Sequence, residues 1–364
     1  MKIAEVCELI EQTAPLALQE NYDNAGLLIG DRHAEVKGVL LTIDVTEPVI
    51  DEAVVKGCNL IVAHHPLIFK GLKRITGKNE VERCVVKAIK NDVAIYAAHT
   101  NMDNAQEGVN RKIADLLGLK DAVVLQPMSG LLLKLVTFVP KLHYIRVRDA
   151  LFAAGAGVIG DYDACSYSSE GNGTFRAGES AHPFVGQVNV LHTELEIRME
   201  MILPVYLKNK ITSALIHSHP YEEPAYDFVP LANEWSRVGA GMIGCLEQPI
   251  DELTFLRQLK DIFNARVVRH TACTGRKITK VAVCGGAGSS FLNDAIAQEA
   301  DAFISGDFKY HEFFDAENRI LIADIGHYES EQFTKDIFYE IITKKIANFA
   351  VRISEINTNP INYL

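Results

Sequence analysis

Leu60-Ile-Val-Ala-His64-His65-Pro66 is a short apolar run that ends abruptly in two imidazoles. Continuous hydrophobicity without polar alternation describes a strand covered on both faces, as in a layered α/β fold. Two further runs repeat the pattern: Val93-Ala-Ile-Tyr-Ala-Ala-His99-Thr-Asn-Met-Asp103 and Ile320-Leu-Ile-Ala-Asp324-Ile-Gly-His327-Tyr-Glu-Ser-Glu331. Each apolar strand hands the chain directly to ligating side chains. In open α/β sheets, sites form beyond the carboxyl ends of strands, so the three clusters are expected to converge on one crevice.

Around these strands, residues 1 to about 125 alternate helical and strand patterns, and a mostly parallel sheet is predicted. Val39 to Ile43 reads as another covered strand; Val81, Cys84, Val85 and Ala88 share one helical face, and a helix from Val109 stops at Gly118. From about 130 the texture changes. Strands are predicted at Leu132 to Val139, Tyr162 to Ser168, Val188 to Val190, Glu194 to Met201 and Tyr226 to Pro230, with helices at Ile145 to Ala154 and Pro204 to His217. The β-α-β-β-α-β order is the ferredoxin-like, split-βαβ pattern. After Gly239 the first texture returns: a helix from Leu253 to Phe263, strands at Val281 to Cys284, Ala302 to Ser305 and Ile320 to Ile325, and one long helix with Phe333, Ile337, Phe338, Ile341 and Ile342 on a single stripe. The predicted organisation is therefore a discontinuous α/β metal-binding domain, 1–128 with 237–364, interrupted by an α+β insert, 129–236.

The 364 residues, 48% hydrophobic and 23% charged, suit a globular chain of roughly two to three domains. No apolar stretch approaches the roughly 20 residues a membrane helix needs. Ile3, Val6, Cys7 and Ile10 share a face of an N-terminal helix interspersed with Glu5, Glu8 and Glu11, acids that a secretory signal would lack. Seven scattered cysteines without a Cys-x-x-Cys pair read as reduced thiols, so a cytoplasmic location is expected. The net charge of −11 and the dispersed bases argue against a strong non-specific hold on nucleic acid.

Within the strand-end clusters, His327 and Glu331 are four apart at a helix start and share one face, so they can bind one ion. His64 and His65 point to opposite sides of an extended chain and can serve neighbouring ions. The predicted ligand set is His64, His65, Asp103, His327 and Glu331, with Glu331 as the bridge. Imidazole mixed with carboxylate suits zinc, iron or manganese, and two divalent ions are expected. Four positive charges against two carboxylates leave the centre cationic, suited to hydroxide or to a phosphorylated or nucleotide ligand. Hydrolysis is the natural reaction class.

Other residues carry paired readings. His99 is either a general acid/base or a hydrogen-bonding support to the centre. His311 either lines the same cavity or is an ordinary loop histidine. The loop Cys284-Gly-Gly-Ala-Gly-Ser-Ser either cradles a phosphate or makes a tight strand-to-helix turn, and it matches no complete nucleotide fingerprint. His217, His219, Glu222 and Glu223 form either another metal site or an exposed loop.

Tyr22-Asp-Asn-Ala-Gly, Ala63-His-His-Pro, His99-Thr-Asn-Met-Asp-Asn, Ser305-Gly-Asp-Phe-Lys-Tyr-His and Gly326-His-Tyr-Glu-Ser-Glu together resemble the dinuclear-metal GTP cyclohydrolase 1 type 2 (Nif-three-like) family. The resemblance spans nearly the whole chain, with Met102 standing where leucine is commoner. It implies a two-part α/β fold, a toroidal homohexamer with metal sites facing an internal cavity, and ligands on the same five residues. The middle segment, with His219-Pro-Tyr-Glu-Glu-Pro-Ala-Tyr, resembles the PII/CutA-like insert of longer members. Opening of the GTP purine ring is the activity the family name implies; metal-dependent phosphoester hydrolysis and a non-enzymatic hexameric regulator using the insert are the alternatives.

Overall fold

The computed structural model describes residues 1–346 and 349–364. The chain divides into two compact units, Met1–Pro127 with Ser236–Leu364, and Met128–Trp235. Among the described residues no helix is long and apolar enough to cross a membrane.

The first unit holds two mixed sheets in place of one largely parallel sheet. Its five-stranded sheet runs Gly26–Ile29, Ala94–Ala97, Leu60–Ala63, Val39–Thr42, Val351–Ile353. All neighbours are parallel except Gly26–Ile29, which lies antiparallel on Ala94–Ala97 at one edge. Thr42, Ala63 and Ala97 stand in register, so the three central strands end level and their following residues leave from one edge. The backbone keeps the edge flush: His64 N–H donates to Thr42 O at 3.2 Å and His65 N–H to Ile43 O at 2.9 Å. Leu40, Ile61 and Ile95 are fully buried against the helices Glu47–Val55 and Glu80–Lys90. Each such side chain contributes roughly 1.5–3 kcal/mol, which explains the absence of polar alternation in these runs. The second helix begins where Asn79 Oδ1 accepts Glu82 N–H at 2.8 Å, a standard N-cap.

The six-stranded sheet runs Arg269–His270, Leu321–Asp324, Ala302–Gly306, Ile278–Ala287, Trp235–Ile250, Lys120–Met128. Its centre is parallel and pairs Ser305 with Asp324, whereas Arg269–His270 and Trp235–Ile250 join antiparallel. Phe303, Ile320 and Ile322 fill the core on one side. One element departs from expectation here. The long terminal helix is broken into His327–Glu331 and Thr334–Lys345, because Thr334 Oγ1 donates to Glu331 O at 2.7 Å and Gln332 Nε2 to Phe263 O at 2.8 Å, drawing the junction into other contacts.

The second unit is an antiparallel sheet of Tyr167–Arg176, Leu191–Pro204, Leu132–Pro140 and Tyr226–Pro230, in that order, with helices Tyr144–Ala154 and Lys208–Ser218 on its buried face. Leu135, Val139, Val147, Leu151, Ile211 and Leu215 make its core. The strand expected at Tyr162 to Ser168 lies instead over Tyr167–Arg176 and runs straight through Glu170-Gly-Asn-Gly-Thr174, a glycine-rich run that reads as a turn. Glycine is tolerated because the Glu196 side chain of the neighbouring strand lies across Gly173, where an added Cβ would fall 2.1 Å from Glu196 Oε2. Val188 to Val190 is not a strand; Val188 makes only an isolated bridge to Ala177.

Candidate metal centre

Three sequence-distant segments meet at the level ends of the strands. His64 is fully buried; its Nδ1–H donates to Ala98 O at 2.9 Å, aiming Nε2 inward. Nε2 stands 3.6 Å from Asp103 Oδ1 and 3.6 Å from Glu331 Oε1. Among the described residues neither His64 Nε2 nor Asp103 Oδ1 has a hydrogen-bond partner, although both atoms are buried. On the other side of Glu331, Oε2 lies 2.9 Å from His65 Nε2 and 3.1 Å from His327 Nε2. The two carboxylate oxygens thus face two separate nitrogen groups. His64, His65 and Glu331 offer ligand atoms that all lie within 4.8 Å of one another.

Local structure explains each placement. Asp103 sits on the one-turn helix Thr100–Asn104, where Met102 N–H and Asp103 N–H donate to His99 O at 2.8 and 3.0 Å. Asn101 and Asn104 tie that turn down, donating to Ala14 O at 2.7 Å and Leu18 O at 2.9 Å. His327 follows Gly326, whose φ of 98° turns the chain from strand into helix. Gly286 supplies the remaining room: a Cβ there would fall 2.3 Å from Glu331 Oε1.

Every histidine of the cluster except His64 is oriented by a carboxylate. His65 Nδ1–H donates to Asp44 Oδ1 at 2.7 Å, His327 Nδ1–H to Asp307 Oδ2 at 2.8 Å, and His99 Nδ1–H to Asp23 Oδ1 at 2.8 Å. Such partners fix the tautomer and turn Nε2 toward the centre. Asp44, Asp307 and Asp23 are the residues that sequence reasoning missed as part of the site. The signals were present: Asp44 also follows an apolar strand, and Asp23 and Asp307 lie inside the quoted motifs. His99 places its ring 5.4 Å from His64 and 5.5 Å from His65, beside the five predicted ligands. His311 is not among them; it is exposed on the 3-10 segment Tyr310–Ala316, with its ring 5.1 Å from Tyr310.

The electrostatics follow from packing imidazoles around the buried Glu331 carboxylate and the half-buried Asp103. Burial pushes the His64, His65 and His327 pKa values down, but the nearby carboxylates outweigh it and raise all three, to about 10 for His65 and about 9 for His327. Burial would raise Glu331, yet the charge of His64 and hydrogen bonds from His327 and His65 hold it well below the usual range. Asp103 is raised, by burial first.

The geometry bears on two other paired readings. The glycine loop after Cys284 has its N–H groups already engaged: Gly285 donates to Asn110 Oδ1, Gly286 to Ser330 Oγ and Gly288 to Ser305 Oγ, each at 2.9 Å. These three bonds tie the loop down as a strand-to-helix turn beside Glu331. In the second unit, His219 Nε2–H donates to Phe138 O at 3.0 Å and its Nδ1 accepts Tyr221 N–H at 3.1 Å. Both nitrogens are used, so His219 is not a ligand.

A mixed α/β chain with imidazoles and carboxylates gathered at level strand ends defines a protein built around a candidate metal-binding group. The chain belongs to the Duf34/NIF3 (NGG1p interacting factor 3) family, whose model matches residues 1–360. It is 41% identical over 372 residues to a Halalkalibacterium halodurans protein named GTP cyclohydrolase 1 type 2 homolog, covering 100% of both chains. A Bacillus subtilis protein of the same name is 39% identical, with 99% of this chain and 98% of that one covered. The solved structure of a Bacillus cereus protein related to NIF3 superposes with a TM-score of 0.88 at 38% identity, covering 100% of this chain and 99% of that chain.

Proposed function

We propose that the protein is a hydrolase with a dinuclear divalent-metal centre acting on a nucleotide or related phosphorylated compound. The observation that carries this is the pair of buried, unpartnered atoms His64 Nε2 and Asp103 Oδ1 facing Glu331 Oε1. Leaving such atoms unsatisfied costs about 1–3 kcal/mol each, a cost that a cation between them removes. His64, Asp103 and Glu331 Oε1 would hold one ion; His65, His327 and Glu331 Oε2 would hold the other. A mixed nitrogen and oxygen donor set of this kind suits zinc, iron or manganese. When bound, the ions supply Lewis acidity and make hydroxide available near neutral pH.

With three protein ligands each, such ions would keep positions for reactants, as in catalytic and not in structural sites. His99 is the acid/base of this reading. Asp23 holds its Nδ1, and Nε2 has no hydrogen-bond partner among the described residues, so Nε2 is the atom that takes and returns a proton. The names of the relatives supply the purine-ring opening of GTP as the first substrate to test. A cytoplasmic toroidal homohexamer belongs to the same proposal on the family likeness, and the free state of all described cysteines suits a reducing compartment. The strand order of the second unit supports reading it as a ferredoxin-like, PII/CutA-like insert.

The test is metal analysis of the purified protein combined with formate and phosphate release from a nucleotide panel. Formate from GTP supports the cyclohydrolase reading, and phosphate without formate assigns the centre to phosphoester hydrolysis. Full metal loading with no turnover of any compound overturns the enzymatic reading in favour of a metal-holding regulator.

A further inference from the structure

The open face of the second unit's sheet carries a cavity of about 620 Å³, and it is built within that unit alone. Its floor is the strand Tyr167–Arg176, at Gly171 and Gly173. Gly171 pairs with Glu196 across the ladder, and a Cβ there would meet nothing within 4 Å, so the missing side chain opens the floor. The walls are aromatic. Tyr221 stands with its ring 5.9 Å from Phe175 and 6.4 Å from Phe184, and Phe138 closes a further side. Tyr221 is itself fixed, because its N–H is held by His219 Nδ1 and its hydroxyl donates to Glu196 Oε1 at 2.8 Å.

Glu196 is the decisive residue. It is only 8% exposed, yet it forms no ion pair, and its Oε2 accepts no hydrogen bond among the described residues. Oε2 is not sealed from solvent but borders the cavity, so the carboxylate keeps one oxygen available to a ligand beside the aromatic rings. Glu222 and Glu223 line the same cavity; Glu222 accepts the His182 backbone N–H at 2.9 Å, and neither is in an ion pair. The lining cation Arg198 is already engaged by Glu200 at 2.9 Å. The balance of the cavity is therefore negative, with π-faces at its walls.

We infer that this cavity is a binding site for an organic cation, an amine or amidinium carried on a flat apolar group, held by Glu196 and stacked among Tyr221, Phe175 and Phe184. A planar amidinium matches a carboxylate in a two-point, charge-assisted geometry, and aromatic faces attract the same charge. Phosphates and carboxylic acids are disfavoured by the three unpaired glutamates. No residue of the candidate metal centre lines this cavity.

The probe is benzamidine, titrated calorimetrically into the full metal-loaded chain beside neutral benzamide, ATP and citrate. Benzamidine is expected to bind saturably at roughly millimolar concentration or tighter, and benzamide at least tenfold more weakly. Glu196→Gln should weaken benzamidine at least tenfold with the melting temperature unchanged. If that variant misfolds, Gly171→Leu tests the same point, since it fills the cavity from a position where the added Cβ touches nothing, and it should abolish binding in a folded chain. The inference is overturned if benzamidine does not bind, if both variants bind it like wild type, or if ATP binds and is the ligand that Gly171→Leu displaces.

Discussion

His65 Nε2 and His327 Nε2 stand 3.2 Å apart, and the same oxygen of Glu331 lies 2.9 Å from the first and 3.1 Å from the second. Two nitrogen lone pairs at that separation repel unless a proton or a cation lies between them. Glu331 then serves both halves of the centre, with Oε1 toward His64 and Oε2 toward this pair. Replacing it by Ala is expected to lower metal content by at least one ion per chain. Elemental analysis after gel filtration checks this, and wild-type stoichiometry in Glu331→Ala would remove the residue from the centre.

Metal uptake should release protons. His65 is held up at about 10 and His327 at about 9, so both are charged at pH 7.5 in the metal-free protein and must give up a proton to ligate. Affinity accordingly rises with pH across that range. The same shifts set stability in the chelated protein: a histidine raised above its ordinary 6.5 contributes below that pH and loses the contribution as pH climbs through 9 to 10. Calorimetry in buffers of different ionisation enthalpy should report at least one proton released per ion. Melting curves should show the metal-free chain losing more stability than the loaded one between pH 6.5 and 10.

Asp23 works in the opposite direction. Burial pushes its carboxyl up, but hydrogen bonds from His99 and Thr100 outweigh this and hold it down at about 2. A depressed carboxyl stabilises the fold above its unfolded value of 3.8 and loses the effect as pH falls through about 2. Asp23→Ala should cost on the order of 2 kcal/mol at pH 7, with the difference from wild type shrinking toward pH 2. Urea titrations at several pH values measure it, and a pH-independent difference would mean that packing, not charge, is what Asp23 provides.

Glycine at 286 is required by the centre rather than by the turn alone. Its φ is 62°, and a Cβ would fall 2.3 Å from Glu331 Oε1. Gly118 has a similar φ of 68° with nothing within 4 Å of the same position. Alanine at either site meets roughly 1–2 kcal/mol of backbone strain. Only Gly286→Ala should also lower metal content, because it displaces the Glu331 carboxylate. Equal metal loading in the two variants would count against Glu331 as the bridge.

What is legible in the sequence follows from which signals are local. The strands Leu60–Ala63, Ala94–Ala97 and Leu321–Asp324 are readable because unbroken apolar runs stop at His or Asp, and the candidate ligand residues come with them. Strand Tyr167–Arg176 is not readable, because its glycines signal a turn and only the long pairing with Leu191–Pro204 holds them extended. Division into two sheets is hidden for a similar reason. Gly26–Ile29 joins its sheet at an antiparallel edge, and that pairing leaves no periodic mark in the chain. The orienting acids are visible as residues but not as partners, since Asp23 meets His99 across 76 positions and Asp44 meets His65 across 21.

The C-terminal segment extends that orienting chain by one link. Thr358 Oγ1–H donates to Asp44 Oδ2 at 2.6 Å, and Asp44 Oδ1 accepts His65 Nδ1–H. Asp44→Ala removes the direct partner of a ligand, a change that typically weakens metal binding about 10–100-fold. Thr358→Val keeps the side-chain shape and removes only the hydroxyl, leaving Asp44 less well aimed. The expected loss is smaller, roughly three- to tenfold for the ion held by His65 and His327, because the hydroxyl acts through Asp44 and not on the ligand. Competition with a chromophoric chelator separates the two variants. A Thr358→Val effect as large as that of Asp44→Ala would mean that the C-terminal segment acts on the site by some path other than this carboxylate.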